Sequence, residues 1–234
     1  MRLSSGVLRQ SATCARWADG WSISIGPDLL LAHALGVRSV ADLPVYDRRV
    51  PELLDLEPRS NGISLSREVR AAAAAQWRAW WRILWAQAVA QHRASAVPPE
   101  PPLFGLDLMF LPDPPSFRSL APTPELRQVV ASSWESLSTW LDRIHDFERA
   151  RVKDGDLGSA EWARNLIERA DGLARRRIAD VAVHLGVLPV AGPWHWLVTE
   201  DADQHLIHAL VAPAFIAEPW AHYDWLLDAL VRNG

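Results

Sequence analysis

The sequence predicts an α+β fold: three long amphipathic helices packed on a small antiparallel sheet formed by N- and C-terminal hairpins, plus a C-terminal helix. Three observations predict it. Apolar residues of the middle, 66–186, recur at spacings of three and four, the period of a helix with one buried face. Both ends instead carry short alternating segments led by Trp and closed by turn residues, Trp21 to Ile25 and Trp194 to Thr199. At 234 residues and 49% hydrophobic content, the chain can bury one sizeable core. A single domain over 1–234 follows, with segments 1–65 and 187–234 sharing the sheet.

The N-terminal segment opens with the alternation Trp21-Ser22-Ile23-Ser24-Ile25, a strand signal. Gly26-Pro27-Asp28 reads as a turn, and the apolar run Leu29 to Leu35 as the returning strand. The rival reading of that run is a short helix stopped by Gly36. The first long helix spans Ser66 to about Ala94, without Gly or Pro. Ser64 or Ser66 caps it, and Glu68 in its first turn suits the positive end of the helix dipole. Val69, Ala73, Trp77, Trp80, Trp81, Leu84, Trp85 and Ala88 form its apolar face.

Nine prolines between Pro98 and Pro124 forbid helix there. The stretch also holds Leu103, Phe104, Leu106 and Phe110, too apolar for a solvated linker, and reads as an extended arm laid on the surface. Thr123-Pro124-Glu125 is a helix start, with Pro at the first helical position. This second helix reaches Lys153, with Leu126, Val130, Leu137, Trp140 and Ile144 on one stripe. A third is expected from Ser159 to Leu185, stopped by Gly186. Two strands, Trp194 to Thr199 and Leu206 to Val211, make the C-terminal hairpin, and a last helix begins at Pro219.

The two ends also resemble each other. Aligned without gaps, seven of the 24 positions from Trp21 to Pro44 match those from Trp196 to Pro219, among them His33 with His208. An internal duplication of a Trp-led hairpin would explain this, and would place His33 and His208 near one another.

Composition excludes several function classes. The net charge is −4, against the basic face that nucleic-acid binding needs, so a nucleic-acid partner is not expected. Apolar runs are too short to span a bilayer, so no membrane partner is expected either. Cys14 is the only cysteine, which excludes an internal disulfide and a thiolate zinc site. A cytoplasmic location is the expectation. No phosphate loop, dinucleotide fingerprint or nucleophile elbow is present, and no cofactor is expected. His205 and His208, three apart on a strand, point to opposite faces, so no metal site is expected.

What remains unusual is the Trp content, 13 against two Tyr and five Phe. Trp is the residue most enriched at binding hot spots. Trp77, Trp80, Trp81 and Trp85 on one helix are the candidate binding residues, as an interface or as the wall of a pocket, and at least one of them is expected at the surface. His33 and His208 are the only catalytic candidates, each set between two Leu. The function read from the sequence is a non-enzymatic protein-interaction domain with a Trp-rich surface, bound to another protein or to itself. An adaptor, an assembly subunit and a toxin neutraliser all fit. The alternative is a small-molecule enzyme or binder with a pocket between hairpins and helices, lined by Trp, Arg and His.

Overall fold

The computed structural model describes residues 13–16, 20–47, 50–51, 58, 64–96, 114, 116–153, 160–201, 206–213 and 224–233. Chain order is β1 (Thr13–Arg16), β2 (Ser22–Pro27), α1 (Leu29–Val40), α2 (Arg67–Ala96), a 3-10 turn (Arg118–Leu120), α3 (Pro124–Lys153), α4 (Ala160–Ala174), β3 (Ala182–Val187), β4 (His195–Asp201), β5 (Leu206–Val211) and α5 (Asp224–Asn233). The class is α+β, with one sheet drawn from both ends of the chain.

The two middle helices form where the caps place them. Ser66 Oγ accepts from the Val69 N–H at 3.2 Å at the start of α2. Pro124 opens α3, and the Arg127 N–H donates to the Thr123 carbonyl at 2.8 Å. α1, α2 and α3 pack on one another, α4 packs on α5, and all of these contribute to one contiguous core with the sheet.

Several expectations are corrected. Leu29 to Leu35 is not a strand but the first part of α1, which runs through Gly36 to Val40. Asp28 starts the helix by accepting the Leu31 N–H at 3.0 Å. Gly36 is no stop signal. A Cβ there would lie 2.6 Å from the Trp140 ring and 2.8 Å from Leu137, so glycine lets α1 approach α3 closely. The expected third helix ends at Ala174, where Arg175 takes a left-handed φ of 53°, and residues 182–187 form β3 instead. Val181, Val183, Leu185 and Val187 alternate, which is the strand signal in that stretch. The duplication fails with α1. The segment aligned with β5 is a helix, so His33 and His208 occupy unlike positions.

The sheet is mixed rather than antiparallel, in the order β1-β2-β3-β5-β4. Each edge pair, β1 with β2 and β4 with β5, is antiparallel. The N-terminal hairpin therefore exists one strand earlier than expected. β2, β3 and β5 run parallel in the centre. Parallel neighbours need a long crossover, and the helical middle supplies it between β2 and β3.

Helices cover both faces of the sheet. Ile23, Ile25, Val183, Leu185, Ile207 and Ala209 form one buried face. The Trp225 ring of α5 stacks on His195 at 4.7 Å, and α5 packs on β4 and β5. On the opposite face α2 meets β5, and Trp85 meets Trp196 at 6.4 Å. A bulge between Leu197 and Thr199 keeps the register positions of Trp196 and Thr199 beside Leu210 and His208. Of the Pro-rich stretch only 114 and 116–124 are described, and the expected start of the last helix at Pro219 lies outside the described residues.

Candidate active site

The second face of the sheet carries a polar row. Register sets Ser24 of β2 beside His184 of β3, and His184 beside His208 of β5. In-register residues of neighbouring strands share a face, and the side chains bear this out. Ser24 Oγ and His184 Nδ1 are hydrogen bonded. The rings of His184 and His208 meet edge to face, with centroids 4.9 Å apart and planes at 63°. Ser24 and His184 are half-buried, while His208 is wholly enclosed. The backbone positions of Cys14 on β1 and Thr199 on β4 extend the same row to both edges.

Local sequence explains the placement. In Ser22-Ile23-Ser24-Ile25 the isoleucines take the core side, so the serines take the other. In β3 Val183 and Leu185 do the same for His184. β5 is buried on both faces, as a strand next to an edge and covered by helices should be, and His208 is carried inside with it.

The rows above and below shape the surroundings. Gly186 lies two residues beyond His184 and faces Leu210, whose Cδ2 would be 2.7 Å from a Cβ at that position. The same Cβ would stand 3.7 Å from Cβ of Asp28, so a buried carboxyl adjoins the end of β3. Burial pushes the Asp28 carboxyl up to about 6, against the opposing hydrogen bonds from the Leu31 and Leu30 backbone.

The chemistry open to the row is that of a nucleophile and a base. A serine hydroxyl is a weak nucleophile until a neighbouring group takes its proton, and an imidazole within hydrogen-bond reach can do so. His208, packed against the far side of His184, restricts how the His184 ring can turn. Among the described residues no group of three or more His, Cys, Asp or Glu could hold a metal ion.

Of the expected site residues, His208 falls in this row and His33 does not. His33 lies in the helical core, edge-on to Trp80 at 5.8 Å and Trp134 at 5.7 Å. Neither of its ring nitrogens has a hydrogen-bond partner among the described residues. Burial lowers its pKa to about 4, so it is neutral at pH 7. The ring that faces His208 is that of His184.

The α2 tryptophans point inward. Trp77 is 0% exposed, Trp80 and Trp81 each 5%. The Trp77 indole N–H donates to the Ala34 carbonyl at 2.7 Å, and its ring stacks on Trp81 at 5.2 Å. Trp85 follows at 5.9 Å, part-buried, and reaches Trp196. The four indoles thus run from the α1–α2 core out to the sheet margin. Only Trp85 stands near the surface.

Ser24 and His184 are the residues that sequence reasoning missed. Ser24 lay on the polar side of a strand already read as such. His184 lies in a stretch where Ile178, Val181 and Leu185 keep helical spacing, so the sequence reads as helix there. The chain matches no family model, no curated protein and no solved structure.

Proposed function

We propose that this protein is a small-molecule enzyme working by acyl transfer, with Ser24 as nucleophile and His184 as its base. The observation that carries the reading is the Ser24–His184 hydrogen bond, with His208 packed against His184, on three adjacent strands of one sheet face. Ser24 Oγ attacks the acyl carbon of an ester while its proton passes to His184 Nδ1. The alcohol leaves with that proton, and an acyl-Ser24 forms. Water then attacks the acyl group, gives a proton to His184, and the returning proton restores the Ser24 hydroxyl. His208 positions the His184 ring. The half-buried setting of Ser24 and His184 suits a small substrate rather than a polymer.

An alkyl fluorophosphonate tests this, since it reacts much faster with a hydroxyl activated by a neighbouring base than with an ordinary serine. Peptide mass spectrometry should find the label on Ser24. His184→Ala should slow labelling by about 10²-fold or more, the usual share of a general base. A folded protein that carries no label on Ser24, and whose turnover of p-nitrophenyl acetate is unchanged in Ser24→Ala, would overturn the reading.

A second reading, binding to another protein or to a second copy, is favoured by one observation. Trp85, Trp194, Trp196 and Trp225 are all part-buried and gather around the edge strand β4. Native mass spectrometry of the protein isolated gently from its own cells should then show a second chain, lost in Trp196→Ala. A bare monomer removes this reading. Among the described residues no helix is long and apolar enough to cross a membrane.

A further inference from the structure

We propose that the Ser24–His184 site takes a short-chain acyl ester, and that the next row of the same sheet face, Ser22, Ala182 and Leu206, is its acyl subsite, with the Ser22 hydroxyl donating to the acyl oxygen. This inference rests on the acyl-transfer reading and names its substrate class.

The two sides of the Ser24–His184 pair are unlike. Towards the C-terminal ends of the parallel strands the next row is Gly26, Gly186 and Leu210. That row is closed over β3. Gly186 is buried, and Leu210 Cδ2 and Asp28 Cβ lie 2.7 and 3.7 Å from where a Cβ would stand on it. Towards the N-terminal ends the row is Ser22, Ala182 and Leu206. Ser22 and Ala182 are half-buried like Ser24 and His184, so the open part of the face continues from one pair to the other. Leu206, 2% exposed, ends the opening at β5.

Ser22 stands two residues before Ser24 on β2, on the same face. No hydrogen bond holds its hydroxyl among the described residues. Same-face positions two apart on a strand are about 6.6 Å apart. As Ser24 Oγ bonds to the acyl carbon, the carbonyl π pair moves onto the acyl oxygen, which comes to lie in the gap between the two serines. Ser22 donates to that oxygen and holds its charge until the C=O bond re-forms and the alcohol leaves with the proton carried by His184. A donor aimed at charge that develops only in the transition state speeds the step without tightening the substrate.

Ala182 and Leu206 define the acyl chain. The Ala182 methyl keeps the floor low beside the pair, and the Leu206 side chain is an apolar end wall. With strands about 4.8 Å apart, a chain of about four carbons runs from the acyl carbon across Ala182 to that wall. Arg16 and Asp201 take the register positions at the two edges of the row. Their charges are opposite, so the row has no net charge to select a charged acyl group.

Fluorophosphonate labelling rates and the turnover of p-nitrophenyl acetate, butyrate and octanoate test the subsite. Of the three esters, butyrate should have the highest kcat/KM. Ser22→Ala should lower kcat by about 10²-fold with little change in KM. It should slow labelling of Ser24 by a similar factor, since the phosphonyl oxygen takes the place of the acyl oxygen. Ser22→Thr keeps a hydroxyl on a strand-favouring residue and should recover most of that loss. Ala182→Val raises the floor and should lower the butyrate-to-acetate ratio of kcat/KM by about tenfold. Circular dichroism should match that of the natural chain in all three variants. Ser24 labelled as fast in Ser22→Ala as in the natural chain, octanoate preferred to butyrate, or an unchanged ratio in Ala182→Val would each overturn the subsite and leave the acyl-transfer reading standing. No label on Ser24 in the natural chain would overturn that reading, and the subsite with it.

Discussion

Asp28 and His33, five residues apart at the head of α1, are driven by burial in opposite directions. The Asp28 carboxyl rises from 3.8 to about 6, and the His33 imidazole falls from 6.5 to about 4. Asp28 holds its proton more tightly in the folded chain than in the unfolded one. Its contribution to stability is full below pH 3.8 and is lost as pH rises through about 6. His33 holds its proton less tightly when folded. Its contribution is full above pH 6.5 and is lost as pH falls through about 4. In the window between, the two slopes oppose, and the stability of the natural chain should vary little. Asp28→Asn retains an oxygen able to cap α1 and removes one slope. Urea denaturation of that variant should show stability rising between pH 4 and 6.5, by about 3 kcal/mol at most. His33→Leu removes the other slope, and its stability should fall over the same range. It also removes two buried nitrogens that lack partners among the described residues, so at pH 7 it should be no less stable than the natural chain. Parallel pH profiles for all three proteins would show that neither group titrates as its burial dictates.

α2, α3 and β5 were legible in the sequence, and α1 and β3 were not. α2 and α3 show a clean period of three and four, and Ser66 and the Thr123-Pro124 pair mark their starts, so their limits were readable. In α1 every residue but Ser39 is buried, so no polar face marks the helical period, and only Asp28 signals the cap. β3 was lost because Ile178, Val181 and Leu185 also continue the spacing of α4, and the left-handed Arg175 that ends α4 carries no sequence signature. That single misassignment concealed the middle member of the polar row, since His184 cannot face His208 from a helix. Gly36 is the clearest case of a residue whose meaning only packing reveals. Ala is the better helix former by about 1 kcal/mol, yet Gly36→Ala would press a methyl into Trp140 and Leu137. Overpacking should dominate, lowering stability by about 1–3 kcal/mol net of the propensity gain. Chemical denaturation would read this as a lower midpoint with an unchanged slope. A variant more stable than the natural chain would mean that α1 and α3 can move apart freely.

At the scale of the whole molecule, the sheet ties together residues that the chain keeps far apart. Ser24 meets His184 across 160 positions, and His184 meets His208 across a second parallel pairing. No local segment contains the row, and β2 has one described neighbour, β1, apart from the strand that arrives after the helical middle. The Trp21 indole adds to this tie by donating to the Ile178 carbonyl at 2.8 Å, across 157 positions. Pairings of such separation form only when the intervening helices are already placed, and they are lost when those helices leave. The row should therefore have no stability of its own. In a urea series, labelling of Ser24 by a fluorophosphonate should vanish with the same midpoint as the far-ultraviolet circular dichroism and the Trp fluorescence, the behaviour of one cooperative unit. Labelling that disappears at lower urea, while helix content persists, would show that the sheet opens before the helices, and that the chain folds as two units rather than one.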